Sequence, residues 1–256
     1  MNGRRTLFGF ELDPLTMDQT VERCLAAVRE GRRLEIGVVN AAKLVTMRRD
    51  PRLAEAVTNC DLVLADGQAV VWAGRVLGAP LPERVAGIDL FLRLLAEAES
   101  AGLSVYFLGA RPEVLDEMLR RVADRFPGLK VAGSRHGYFS DAEQQAVADA
   151  IARSGAQLLF LGMTSPKKEL FTAAHGTRTG ALVVHGVGGS FDILAGVTRR
   201  APESWQRRGL EWLYRALQEP RRLGRRYLTT NAAFVLMTAR ERLRPGPSAA
   251  PANRSH

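Results

Sequence analysis

Short runs of apolar residues recur along this chain at helix-length intervals, and that alternation constrains the fold more than any other feature. The runs fall at residues 34–39, 62–65, 104–108, 158–161 and 181–184, with 129–132 as a further one. Most are continuous rather than alternating and rich in Val, Leu and Phe. Strands covered on both faces of a parallel sheet have this pattern. Helix-length stretches lie between them, at 13–30, 50–59, 88–101, 112–126 and 140–153. Asp13-Pro14 and Asp50-Pro51 each read as an N-cap followed by a first-turn proline. Ser140 with Glu143 three residues on reads as a capping box. The implied fold is α/β, a Rossmann-like doubly wound and mainly parallel sheet with helices on both faces.

The pattern changes after Gly196. Strand signals stop, and residues 202–217 and 221–243 read as helices separated by Glu219-Pro220. Residues 244–256 are rich in Pro, Ala and Ser, the composition of a disordered tail. Three parts are expected: a core over 1–196, a helical appendage over 197–243 and a tail over 244–256. The charge divides in the same place. Residues 1–195 balance 23 basic against 23 acidic side chains, whereas 196–256 carry 13 Arg and four Glu, the whole of the net +9. A neutral body with an arginine-rich end points to an anionic partner for that end: nucleic acid, an acidic membrane surface or a phosphorylated substrate. A solvated helix of an arginine-rich proteome is the plainer alternative.

With 256 residues, 46% hydrophobic and 25% charged, the chain can bury a full core as one large domain or two small ones. Collagen-like, disordered and disulfide-scaffold classes are excluded. Cys24 and Cys60 are too few for a metal cluster or a disulfide framework, and they fit a reducing cytosol. The N-terminus lacks the apolar run of a signal peptide, and no stretch of 18 uncharged apolar residues is present.

Ligands of open α/β sheets bind beyond the carboxyl ends of the strands. The residues that follow the runs here are Asn40, Asp66-Gly67, Gly109-Ala110-Arg111-Pro112, Gly162 with Thr164 to Glu169, and His185-Gly186-Val187-Gly188-Gly189-Ser190. Such glycines and small polar residues at helix N-termini suit phosphate, so a nucleotide crevice is the economical reading, with Gly109, Arg111 and Gly188 as binding candidates. Neither a Walker A loop nor a GxGxxG fingerprint is present. The glycines at 186–189 read equally as a phosphate loop or a tight strand-to-helix turn. His185 reads as a structural histidine or a catalyst. Asp66 follows a strand directly, where a carboxylate can serve as a general base or as the N-cap of a helix over 68–77. Arg84 lies in a loop and reads as a phosphate ligand or a solvated charge.

Three blocks carry a resemblance. The first runs from Asp61 through Ala65-Asp66-Gly67-Gln68 to Ala73 and resumes over Leu81-Pro82-Glu83-Arg84-Val85-Ala86-Gly87-Ile88-Asp89. The second is Gly186 to Gly196, running into Arg200-Ala201-Pro202. The third is Gly209-Leu210-Glu211-Trp212-Leu213-Tyr214-Arg215 with Glu219-Pro220-Arg221-Arg222 and Arg225-Arg226-Tyr227. Together they closely resemble the WecG/TagA/CpsF glycosyltransferases, glycosyltransferase family 26, over residues 7–243.

The resemblance implies transfer of a sugar from a UDP-sugar to a polyprenyl-diphosphate-linked saccharide, with inversion and without a bound metal or cofactor, at the cytoplasmic face of the membrane. It implies a Rossmann-like core whose C-terminal appendage targets the membrane and completes the active site. By position, Asp66 matches the family's base and Asn40 a pocket Asn. Arg84 matches a pocket Arg, and Arg215, Arg222 and Arg225 match appendage arginines that face a diphosphate. Members carry Thr-Pro-Asn where this chain has Val38-Val39-Asn40, and Pro-Lys-Gln-Glu where it has Pro166-Lys167-Lys168-Glu169. Lys168 in place of the pocket Gln is a point charge with three donors and no acceptor. It suits a phosphate or an acidic sugar such as a uronic acid, and it leaves the N-acetylmannosamine donor open.

Arg207, Arg208, Arg221, Arg222, Arg225 and Arg226 could meet anionic headgroups, and Phe234 to Met237 could dip into the interface beside Trp205 and Trp212. Trp212 and Leu213 could equally pack the appendage onto the core. Two other classes compete with the transferase. One is a non-catalytic anion-binding module docking through the arginine-rich end; the other is a nucleotide-dependent oxidoreductase. Aromatics interleaved with basic residues are too sparse for a nucleic-acid partner, and the absent fingerprint counts against the oxidoreductase. A homo-oligomer is compatible with a core of this size.

Overall fold

The structure is a computed structural model that describes residues 3–218 and 225–243. A hairpin of β1 (Arg5–Leu7) and β2 (Phe10–Leu12) precedes β3 (Leu34–Val39), β4 (Leu62–Ala65), β5 (Ser104–Gly109), β6 (Lys130–Arg135), β7 (Leu158–Gly162) and β8 (Val183–Gly186). The last six form one sheet in the order β4-β3-β8-β7-β5-β6, and every pairing in it is parallel. The doubly wound α/β expectation therefore holds. The sequence did not signal the antiparallel hairpin, whose turn places Phe8 and Gly9 at positive φ. The strand expected at 181–184 is displaced to Val183–Gly186, which brings His185 into the sheet.

Alternate strand residues feed opposite layers. Ile36, Leu64, Phe107, Phe160 and Val183 face one layer with the helices Met17–Arg29, Gly87–Ala101 and Pro112–Arg125. Val39, Val63 and Ala65 face the other with Ala41–Met47 and Pro51–Thr58, and Leu108, Leu159 and Val184 continue it with Gln144–Ser154 and Lys167–His175. In the first layer Phe91 lies 4.7 Å from Phe160, 5.8 Å from Phe191 and 6.2 Å from Phe107, ring centre to ring centre. All four rings are essentially buried, at about 1.5–3 kcal/mol each. Phe91 sits one turn into its helix, so the cluster fixes that helix's N-terminal residue, Gly87, at the carboxyl rim of the sheet.

Local signals explain several helix starts. Asp50 caps Pro51–Thr58 by accepting from the amides of Arg52 and Leu53, and Ser140 and Glu143 form the capping box read from sequence. Asp13 does not cap the first helix. Thr16 does, reciprocally with Gln19, and Asp13 instead accepts the Val63 amide at 2.8 Å and pairs with Arg4. The carboxylate thus ties the hairpin to β4.

Beyond Gly196 the described residues form the helices Glu203–Arg207, Glu211–Gln218 and Arg225–Leu243. One helix over 202–217 was expected; Gly209, at φ +67, divides it. Phe234 and Met237 are buried, and Phe234 packs edge-on against Phe8 at 5.3 Å. These two residues join the last helix to the apolar cluster of the hairpin and Ala41–Met47 rather than facing an interface, whereas Val235 and Leu236 are exposed. Glu219-Pro220, Arg221, Arg222 and the expected tail at 244–256 lie outside the described residues.

Candidate active site

The carboxyl ends of β3, β4 and β8 bring Asn40, Asp66 and His185 together. Asp66 follows β4 and its amide donates to the Val39 carbonyl at 2.9 Å. It does not cap the next helix: Gly67 is the N-cap of Gln68–Val76, with no side-chain cap bond. Asp66 Oδ1 accepts the amide of Gly87, 21 residues on, at 2.8 Å. Among the described residues, Asp66 Oδ2 takes only a long contact, 3.4 Å, from Asn40 Nδ2. Asn40 Oδ1 meanwhile caps Ala41–Met47 by accepting the Lys43 amide. One carboxylate oxygen is held by backbone, and the other is left with lone-pair capacity toward the rim.

His185 is fully buried and its Nε2 lies 3.0 Å from the Gly87 carbonyl. A carbonyl only accepts, so Nε2 carries the proton. Nδ1 is buried without a partner. Burial, more than any neighbour, pushes the imidazole down to about 4; Asp66 opposes this, and Lys168 and Lys43 reinforce it.

On the other face of the sheet, Lys43 and Lys168 converge on Glu169, with Nζ to Oε1 distances of 2.7 and 2.5 Å. Burial followed by the charge of Lys43 holds Lys168 down to about 8. Burial alone would raise Glu169, but the two ammonium groups outweigh it and hold that carboxyl at about 2. A small cavity of about 20 Å³ lies among Glu35, Lys43, Cys60, Lys168 and Glu169. The Lys168 charge is thus met inside the protein, 7% exposed, rather than presented as a free cation for an acidic sugar.

Arg84 is 15% exposed and donates to Glu211 at 3.0 Å, with Asp89 at 3.9 Å. Arg200 Nη2 reaches both oxygens of Asp89 at 2.6 and 2.7 Å. These four charges join the appendage to the start of the helix Gly87–Ala101. A cavity of about 550 Å³ opens along this seam. Its walls include Gln68, two residues after Asp66, together with Arg84, Asp89, Arg200 and Gln206.

The remaining candidates spread along the same rim. Gly109 adopts φ +147, and a Cβ there would stand 2.4 Å from Gly162 carbonyl carbon, so only glycine allows β5 and β7 to end so close together. Ala110 follows at φ +57. Arg111 is exposed at the N-cap of Pro112–Arg125. The amides of Val187 and Gly188 both donate to the Leu161 carbonyl, at 3.0 and 3.2 Å, so for these two the tight-turn reading describes the loop. Arg215 lies in Glu211–Gln218 and Arg225 begins the last helix, but their side chains, and all of Arg222, fall outside the described residues. Among the described residues no three His, Cys, Asp or Glu gather as a metal site. Gly87, Asp89, Arg200 and Glu211 were absent from the sequence candidates although each lies in one of the three quoted blocks.

The profile described as "Glycosyl transferase WecG/TagA/CpsF family" matches residues 5–247. The chain belongs to the WecG/TagA/CpsF glycosyltransferase family. An N-acetylglucosaminyldiphosphoundecaprenol N-acetyl-beta-D-mannosaminyltransferase of Bacillus spizizenii is 38% identical over 174 residues, 68% of this chain and 67% of the relative. Of the three classes left open by sequence, the transferase is therefore the right one: this chain is a glycosyltransferase. Among the described residues no helix is long and apolar enough to cross a membrane.

Proposed function

We propose that this transferase moves N-acetylmannosamine from its UDP-activated form to an N-acetylglucosaminyl-diphospho-polyprenol, by inversion and without a bound metal. The observation that carries the reading is the state of Asp66, fixed through Oδ1 on the Gly87 amide with Oδ2 open at the rim. In the step, the acceptor hydroxyl oxygen bonds the anomeric carbon while its proton passes to Asp66 Oδ2. The bond from that carbon to the diphosphate oxygen breaks, and UDP leaves with the electron pair. A positioned carboxylate base contributes about 10²–10⁴-fold.

The growing charge on UDP needs donors. Arg84 supplies them in this reading, with the appendage arginines Arg215, Arg222 and Arg225 closing on the diphosphate. The Glu169 pairing of Lys168 favours a neutral N-acetylated donor over a uronic acid, because an acidic sugar would have to displace a buried carboxylate. The site would work on the cytoplasmic membrane surface, approached through the arginine-rich appendage, since a polyprenyl acceptor stays in the bilayer. Of Phe234 to Met237, Val235 and Leu236 are the exposed residues available there.

The test is UDP release by purified protein with a panel of UDP-sugars and a short-chain polyprenyl-diphosphate N-acetylglucosamine, with and without chelator. Release that requires both substrates, persists in chelator and falls about 10²–10⁴-fold in Asp66→Asn is expected. Equal turnover by Asp66→Asn would remove the base assignment. A uronic-acid donor outpacing the N-acetylated ones would overturn the donor assignment.

A further inference from the structure

His185 is a buried group to which the transfer step gives no role. It is the fully buried polar residue nearest the base, and it does not touch the open rim. Among the described residues its one polar contact is Nε2–H on the Gly87 carbonyl. Gly87 is therefore gripped twice: its carbonyl by His185 and its amide by Asp66 Oδ1. A methyl group placed on Gly87 would touch Asp66 Oδ1 and the His185 ring at the same 3.8 Å, so both side chains converge on this one residue.

Glycine is the residue least able to hold its own φ and ψ. At the first position of a helix it also lacks a preceding turn to restrain it. An external bond to its carbonyl supplies the missing restraint. The histidine is rigid enough to do this. Its strand is hydrogen-bonded on both sides, by β3 and β7, and its ring packs edge-on against Phe160 at 6.5 Å. The partnerless Nδ1 agrees with one fixed tautomer, because moving the proton to Nδ1 would lose the Nε2–H bond to the Gly87 carbonyl.

We infer that His185 is a positioning residue for the transfer: through Nε2–H on the Gly87 carbonyl it fixes the glycine whose amide orients Asp66, so that Oδ2 faces the acceptor hydroxyl. The inference rests on Asp66 being the base. It assigns His185 no contact with substrate and no proton in the reaction.

The experiment compares His185→Leu, which removes the donor, with His185→Gln, whose amide nitrogen reaches where Nε2 stands, and with Asp66→Asn. Folding of each is checked by circular dichroism and thermal melting. His185→Leu is expected to lose about 10- to 100-fold in kcat, the cost of a small misplacement of a reacting group, with KM for the UDP-sugar changed less than about two-fold. His185→Gln should recover most of the loss. The Gly87 amide proton should shift in His185→Leu and remain near its wild-type position in His185→Gln. A folded His185→Leu with wild-type kcat overturns the inference, as does equal impairment of Leu and Gln, which is the signature of packing alone. If neither variant folds, nitrogen NMR of the wild-type imidazole decides. An Nε2–H tautomer coupled across the bond to the Gly87 carbonyl supports the inference, and an Nδ1–H tautomer overturns it. Unimpaired Asp66→Asn would instead defeat the base assignment, and the NMR readout would still report the bond.

Discussion

Two regions of this molecule hold clusters of charge, and they hold them differently. At the rim of the sheet, Asp66, His185, Lys168 and Glu169 are buried or half-buried, and each is tied to backbone or to another side chain on a rigid element. Along the seam with the appendage, Arg84, Asp89, Arg200 and Glu211 pair chiefly with one another, and their side chains are 15–35% exposed. At the rim, charge fixes geometry, which is what the proposed base Asp66 needs if it is to stay within hydrogen-bond reach of the proton it takes. The seam suits docking: its charges join two parts of the chain across the larger cavity, and water and salt can reach them. Substitutions, pH and salt should therefore separate the two regions.

The largest difference is expected at Glu169. Replacing it with Gln leaves the Lys43 and Lys168 ammonium groups side by side in a buried site without their shared ion-pair partner, Asp66 acting on Lys168 only as a minor opposing charge. Breaking a buried pair in this way costs about 3–5 kcal/mol. The chemical denaturation midpoint should fall accordingly, at low and high salt alike. Lys168→Gln keeps the Lys43–Glu169 pair and should cost far less. Equal losses in the two variants would mean that Glu169 is not the shared counter-ion.

Acid comes next. His185 is held near 4 when folded against 6.5 when free, so between those values the unfolded chain binds a proton that the folded chain refuses. Stability is therefore complete above pH 6.5 and is lost as pH falls toward 4. The rate is about 1.4 kcal/mol per pH unit, about 3 kcal/mol in all. Glu169, held near 2 against 4.5, adds its own loss only below about pH 4.5, while Glu35, whose carboxyl burial pushes up, takes up its proton more readily folded than unfolded and opposes the histidine's loss. The charges around the ring are Asp66, Lys168 and Lys43, and burial outweighs them. Denaturation across this window should be flatter in His185→Gln than in the wild type. Parallel profiles would show that the ring is not the group responsible.

Much of the rim was legible in the sequence because it follows from local pattern. Continuous apolar runs gave the strands, and the rule that ligands lie beyond their carboxyl ends placed Asn40, Asp66, Lys168 and His185 in one region. Contacts that close over long separations were not legible. Position alone could not decide whether Asp66 capped a helix; the Gly87 amide, 21 residues away, decided it. Nor could it show that Lys168 is balanced by the very next residue, since adjacent side chains in a helix usually diverge. The hairpin was missed because strands of three residues are too short for a period to show. The seam was missed because its members are single charges in three separate blocks, and a lone arginine in a loop carries no local sign of its partner. Phe234 and Met237 looked like interface residues until Phe8, brought in by that same hairpin, supplied their core.

The smallest effect is expected at the seam, and it should be the one most sensitive to salt. Arg200 bridges Asp89 of the core to the segment leading into the appendage, at 24% and 35% side-chain exposure. A pair so open to solvent is worth at most about 1 kcal/mol once screening is counted. Arg200→Gln should therefore leave the melting temperature of the core nearly unchanged while exposing residues 197–218 to faster proteolysis at low salt. Raising ionic strength shortens the Debye length from about 10 Å at 0.1 M to about 3 Å at 1 M. The wild type at high salt should then be cleaved as fast as the variant, whereas the Glu169 effect at the rim should persist unchanged. If salt leaves cleavage of the wild type as slow as before, the appendage is held mainly by the apolar contacts of Phe234 and Met237, and the two regions differ less than their exposures imply. If salt releases the appendage and also slows turnover, with Asp66 still bonded to the Gly87 amide, the loss falls on the stabilisation of the leaving diphosphate by Arg84 and the appendage arginines, and the proposed base at the rim is intact.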